Sequence, residues 1–107
     1  MSALPATAFK ILTAVEWARF EAEGRFEGSP VDRADGFIHL SAADQAEGTL
    51  ARHFAGQAGL VLAEVDLGAL GDAVRWEESR GGALFPHLYG VLPLSAIVGT
   101  TSIADQA

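Results

Sequence analysis

After residue 59 this chain offers no helix. From "GLVLAEVDL" (59–67) onward it runs through short apolar stretches broken by glycine and proline: "AVRWEE" (73–78), "LYGVLPL" (88–94) and "AIVGTTSI" (96–103). Amphipathic helical spacing is confined to the first half, so the predicted order is β-α-β-α-β-β-β-β. A doubly wound parallel sheet would need further crossover helices late in the chain. The pattern instead predicts an α+β domain in which two N-terminal helices pack on a curved, mainly antiparallel mixed sheet.

The first strand is expected at "AFKIL" (8–12). A helix follows over "TAVEWARFEAEG", where Thr13 and Glu16 form a capping box and Gly24 is the C-terminal cap. Val15, Ala18 and Ala22 share one helical face, with Trp17 and Phe20 nearby. "RFEGSPVDRAD" (25–35) reads as an exposed irregular loop. "GFIHL" is the second strand, and Ser41 is expected to cap a second helix over 42–56, with Ala46, Leu50 and Phe54 facing the core. "GLVLAEVDL" alternates cleanly and is apolar on both faces at its start, which suggests a central strand. "SRGGALFPH" (79–87) reads as a mobile connection.

The 107 residues fit one domain spanning 1–107, with no linker, repeat or low-complexity tract. Fourteen acidic against seven basic side chains give a net charge of −7, which argues against nucleic-acid or anionic-membrane binding over a broad surface. The absence of cysteine removes disulfides, thiol nucleophiles and zinc–cysteine sites, and fits a reducing compartment. "MSALPATAFK" lacks the basic and apolar regions of a secretory signal, and no run approaches the roughly 20 apolar residues of a membrane span. The expected location is the cytoplasm.

Candidate chemistry centres on histidine. His39 lies in "DGFIHLS" (35–41), where strand alternation puts it on one face with Phe37 and Ser41, opposite Ile38 and Leu40. Such a residue is either a half-buried histidine bonded to a backbone carbonyl or part of a site. His87 follows Phe85-Pro86 and shares a face with Tyr89. His53, in the second helix, reads as structural. In "VRWEE", Arg75 shares a face with Glu77, and Trp76 with Glu78. The bland reading makes Trp76 a core residue, and the sharper one makes it a pocket wall with a carboxylate at the mouth. No phosphate-binding glycine loop, serine elbow or zinc helix is present. The spacing of the two histidines and a carboxylate carries no metal signature, so no metal is expected.

Together, "DGFIHLS", Gln45, "LVLAEVDL", "VRWE" and "FPHLYGVLPLSAI" resemble the bacterial domain of unknown function 952 family, across nearly the whole chain and in the same order. That family is more distantly similar to the ADP-ribosyltransferase fold, a split, twisted sheet that grips NAD in a cleft. The resemblance implies three motif positions: one on the first strand, at or near Lys10; one in "GFIHLS", at His39 and Ser41; and one in "PHLYG", at His87. Lys10 then stands where that superfamily has His or Arg, and His87 where it has a carboxylate.

The implied site has His39, His87 and Glu77 as catalytic residues, and Lys10, Ser41, Trp76, Phe85 and Tyr89 as ligand-binding residues. Arg25, Arg33 or Arg80 is available to meet a phosphate. Two functions remain open. One is a transferase or hydrolase acting on NAD, ADP-ribose or a phosphorylated nucleotide. The other is a non-catalytic domain that binds a nucleotide or other small molecule on the same fold. NAD or a related nucleotide enters in either case as a ligand or substrate.

Overall fold

The structure, a computed structural model, describes residues 4–103. Its elements run β1 (Thr7–Leu12), α1 (Ala14–Glu23), β2 (Arg25–Phe26), α2 (Pro30–Asp35), β3 (Ile38–His39), α3 (Ala43–His53), β4 (Leu60–Asp66), β5 (Val74–Glu78), β6 (Leu84–Leu88), β7 (Leu92–Pro93) and β8 (Ile97–Ile103). The strands form three sheets, ordered β1-β4-β8, β2-β7 and β3-β6-β5, and every pairing among the described residues is antiparallel. The α+β class holds, with strand β4 central as its two apolar faces suggested. The helices number three among the described residues, not two.

The additional helix is α2, which lies within the stretch expected to be an irregular loop. Ser29 accepts from the Asp32 backbone N–H at 3.3 Å, and Asp32 Oδ2 accepts from the Ser29 N–H at 2.9 Å. This reciprocal box, with Pro30 in the first helical turn and Gly36 closing the helix at φ 87°, is enough to start and stop a short helix. The charges of this stretch suggested solvent exposure, yet they conceal one acid, Asp32, that turns inward.

The inward face of α1 is built on Phe20 with Trp17 beside it, while Val15 is 71% exposed, because the helix rotates its aromatic residues onto the core. Two further expectations change. Ser41 does not cap α3. Its backbone N–H and C=O are both engaged with Phe9, at 2.9 and 2.7 Å, which holds it in strand geometry. Gln45 serves instead, its Oε1 accepting from the Ala42 N–H at 2.9 Å. Finally, the second half of the glycine-rich connection is strand β6: Phe85, Pro86 and His87 are buried in the middle of sheet β3-β6-β5.

The Phe9–Ser41 bridge joins the edge of sheet β1-β4-β8 to the end of β3. Beneath this seam one buried cluster is continuous: Ala8, Leu12 and Ala63 from one sheet lie with Ile38, Leu40 and Leu88 from the other. Leu40 and Leu88 therefore face the core, and alternation sends His39 and His87 to the opposite face. Among the described residues no helix is long and apolar enough to cross a membrane.

Candidate functional site

His39 and His87 are direct partners across the β3–β6 register, and Arg75 of β5 is paired with His87 on its other side. On this one face lie Phe37, His39 and Ser41, then Phe85, His87 and Tyr89, then Arg75 and Glu77. The two imidazole centroids are 5.6 Å apart. Both rings line a cleft of about 530 Å³ that runs over the seam between the two sheets. Its walls are α2, through Pro30, Val31, Asp32 and Asp35, and α3 with the turn that follows it, through Thr49, His53, Phe54 and Gln57.

Each histidine is backed by carboxylate. His87 is buried, and its Nδ1 lies 2.8 Å from Glu77 Oε1; Tyr89 donates its hydroxyl to the same oxygen, also at 2.8 Å. An ionised carboxylate only accepts, so Nδ1 carries the hydrogen and Nε2 is left as an acceptor. Among the described residues Nε2 has no bond, and none of the sealed polar side-chain atoms lacks a partner, so Nε2 is open to the cleft. Phe37 stacks on the His87 ring at 4.1 Å with an interplanar angle of 21°. The hydrogen bonds from His87 and then Tyr89 hold the Glu77 carboxyl below its ordinary value, and Glu77 in turn raises the Tyr89 phenol.

His39 is held more tightly. Its Nδ1 is 2.7 Å from Asp32 Oδ1 and its Nε2 is 3.0 Å from Asp35 Oδ2. Asp32, only 2% exposed, also accepts from the His39 backbone N–H at 3.1 Å and from Lys10 Nζ at 2.9 Å. Lys10 shares its strand face with Ala8 and Leu12, is itself buried, and donates a second time to the His39 carbonyl at 3.1 Å. Burial alone would push the Asp32 carboxyl up. The His39 bond, the Lys10 charge and the Ser29 N–H outweigh it and hold the carboxyl well below the usual carboxylate range.

The remaining candidates separate. Ser41 lines the cleft, where its hydroxyl meets Thr49 Oγ1 at 2.8 Å; Thr49 spends its own hydrogen on the Gln45 carbonyl, so Ser41 donates and keeps its lone pairs. Phe85 lines the cleft. Trp76 does not: it pairs with Pro86, on the core face of β5, and packs against the buried cluster. Glu77 and Tyr89 lie behind the cleft lining, Glu77 on His87 and Tyr89 on Glu77 and the Phe37 ring. Arg25 and Arg33 both meet Glu27, at 2.8 and 3.8 Å, and line a separate groove beside α1. The side chain of Arg80 lies outside what is described. No cluster of His, Asp or Glu among the described residues could hold a metal.

Asp32 and Asp35 were not singled out in the sequence, although Ser29-x-x-Asp32 beside Pro30 is a legible capping signal. His53, set aside there as structural, lies on the cleft wall.

The comparisons with known proteins agree with this fold. No curated protein matches the chain. A crystal structure of protein CC0527 from Caulobacter crescentus is 54% identical, with a TM-score of 0.86, covering 89% of this chain and 83% of that one. A solution structure of CC0527 is 50% identical, with a TM-score of 0.85, covering 96% and 89%. The family model described as "Protein of unknown function (DUF952)" matches residues 11–100, and the chain belongs to that family.

Proposed function

We propose that the cleft is a general acid–base site for a small nucleotide-like ligand, with His87 as the proton-transferring group and His39 as the group that orients the ligand. One observation carries this reading: His87 donates Nδ1–H to Glu77 and turns Nε2 into the cleft that His39 lines. A carboxylate bonded to one imidazole nitrogen fixes the tautomer and stabilises the cation formed when the other nitrogen takes a proton. Phe9, Phe54 and Phe85 supply aromatic wall for a base or similar ring, and Ser41 offers an acceptor for a hydroxyl. The substrates in view are NAD, ADP-ribose and phosphorylated nucleosides, turned over by transfer or hydrolysis. The two sheets meeting at a seam below the cleft support the likeness to a compact ADP-ribosyltransferase split sheet.

Incubation with NAD, ADP-ribose and nucleoside phosphates, followed by mass spectrometry, tests the reading. Conversion of one of these, lost in His87→Gln with binding retained, is the expected result. No conversion of any of them would sink the catalytic role.

A second reading has one observation of its own. Both His39 nitrogens already face carboxylates, Nδ1 hydrogen-bonded to Asp32 and Nε2 3.0 Å from Asp35 Oδ2, an arrangement suited to holding rather than reacting. On that reading the same fold is a binding domain without turnover. Binding of a ligand without conversion, abolished by His39→Ala, is its signature.

A further inference from the structure

We infer that Asp35 sets the charge selectivity of the cleft: it keeps anionic groups away from His39 and admits an uncharged or cationic hydrogen-bond donor, a hydroxyl or an amine. This rests on the proposed function, in which His39 orients the ligand, and names the kind of group it orients.

The argument starts from the second nitrogen of His39. Nδ1 is committed to Asp32, which is buried and fixed by Lys10 and the Ser29 N–H as well. That leaves Nε2 as the only point at which His39 can meet a ligand, and Asp35 Oδ2 stands 3.0 Å from it. Asp35 is not fixed in the same way. Its side chain is 49% exposed, it sits in the last turn of α2, and it lines the cleft.

An incoming phosphate or carboxylate would therefore approach His39 past an exposed carboxylate, with a second one directly behind the ring. The Lys10 charge offsets Asp32 and is spent there, on the Asp32 oxygen and the His39 carbonyl. Among the described contacts of Asp35, the group that can offset its charge is His39 itself. Like charges at contact distance repel most strongly where the site is partly desolvated. A hydroxyl or amine meets the opposite situation, because it donates to Asp35, with the Nε2 edge of His39 beside that point of contact. The carboxylate and the imidazole edge then form a two-point reader for an uncharged or cationic donor. A phosphorylated ligand would enter with its hydroxyl-bearing part towards His39 and its phosphate directed elsewhere.

The test uses the full-length protein and its Asp35→Asn variant at one pH and one ionic strength, with backbone and histidine-ring chemical shifts as the readout. The probes are inorganic phosphate and adenosine. Inorganic phosphate should leave the His39 ring resonances of the wild type unmoved at millimolar concentration. It should shift them in Asp35→Asn, with affinity raised about tenfold or more. Adenosine should shift the His39 ring resonances of the wild type and bind Asp35→Asn more weakly, and adenosine that leaves His39 unmoved or binds both proteins equally overturns the donor reading. Phosphate that perturbs His39 equally in both proteins overturns the inference, as does a variant that gains nothing for phosphate. The two proposals fail separately. If phosphate selectivity changes as described but no nucleotide is converted, Asp35 keeps its role and the catalytic reading falls. Asp35→Glu, which keeps the charge, should continue to exclude phosphate, so a general loosening of α2 is distinguished from loss of the carboxylate.

Discussion

Asp32 joins three parts of the chain through one carboxylate: it caps its own helix, pairs with Lys10 of β1 and holds the ring and backbone of His39. Removing one partner of a buried pair strands the other, so Asp32→Asn should cost about 3 kcal/mol in denaturant unfolding at neutral pH. The pH dependence has a definite sign. The folded carboxyl is held below its unfolded value of 3.8. Its stabilisation is therefore fully present above about pH 4–5 and fades as the pH falls further. The stability gap between wild type and Asp32→Asn should narrow steadily from pH 5 downward, and a gap that stays constant to pH 2 would contradict the assigned network. At the other histidine the readout is cleaner, because Tyr89 is the single tyrosine of the chain. Glu77 raises its phenol, so an ultraviolet titration of Glu77→Gln should show the tyrosine ionising at lower pH than in the wild type. Conversely, Tyr89→Phe should move the Glu77 carboxyl titration up, followed by carbon NMR. Unchanged midpoints in both variants would mean that the shared oxygen is not a bond in solution.

At the scale of elements, the helix caps show what the sequence made legible and what it hid. Thr13 and Glu16 announced α1, and the same chemistry at Ser29 and Asp32 was present but masked. Gly28, Pro30 and five charges within eleven residues look like a surface turn, and nothing local says that one of those acids will find a lysine 22 residues earlier. Strand alternation, by contrast, is a local property that survives folding. It put His39 with Ser41, and His87 with Tyr89, on common faces, and the register then made the two histidines neighbours. It also placed Arg75 with Glu77 and left Trp76 on the other side, where it packs in the core. Long-range partners, including the α3 wall of the cleft, had no signal of that kind. The caps are separable by mutation. Thr13→Ala and Ser29→Ala should each cost about 1 kcal/mol. Only Ser29→Ala should also move the His39 ring resonances, because its helix carries Asp32 and Asp35. Gly28 is bound to the same helix by geometry: at φ 116°, a Cβ there would lie 2.9 Å from the Asp32 Cβ. Gly28→Ala should therefore exceed Ser29→Ala in both effects. A Gly28→Ala protein as stable as the wild type would show that this turn relaxes freely.

For the whole molecule, the question is whether two three-stranded sheets, joined by one backbone bridge and by the bonds of Lys10 to His39 and Asp32, behave as one unit. The Phe9–Ser41 bridge supplies only two backbone hydrogen bonds across the seam, and net contributions of about 1 kcal/mol each would not by themselves couple the sheets. The buried cluster below can, because it draws Ala8, Leu12 and Ala63 from one sheet and Ile38, Leu40 and Leu88 from the other, all nearly inaccessible to water. Separating the sheets would expose this shared apolar surface, at about 25 cal/mol for each Å². Cooperativity should therefore come from the core and not from the bridge. The chain carries its own reporters: of its two tryptophans, Trp17 lies on α1 against Phe20, and Trp76 lies on β5 in the other sheet. In Trp17→Phe only Trp76 reports, and in Trp76→Phe only Trp17 does. Within each variant, fluorescence and far-ultraviolet circular dichroism should give one coincident unfolding transition, the mark of a two-state domain. Transitions that separate, with the Trp76 half melting apart from the backbone signal, would show that the shared core does not couple the sheets. The cleft would then be a seam that opens before the protein unfolds. Coincident transitions keep His39, His87 and the walls around them on one cooperative scaffold, the condition under which carboxylate-backed histidines hold their geometry.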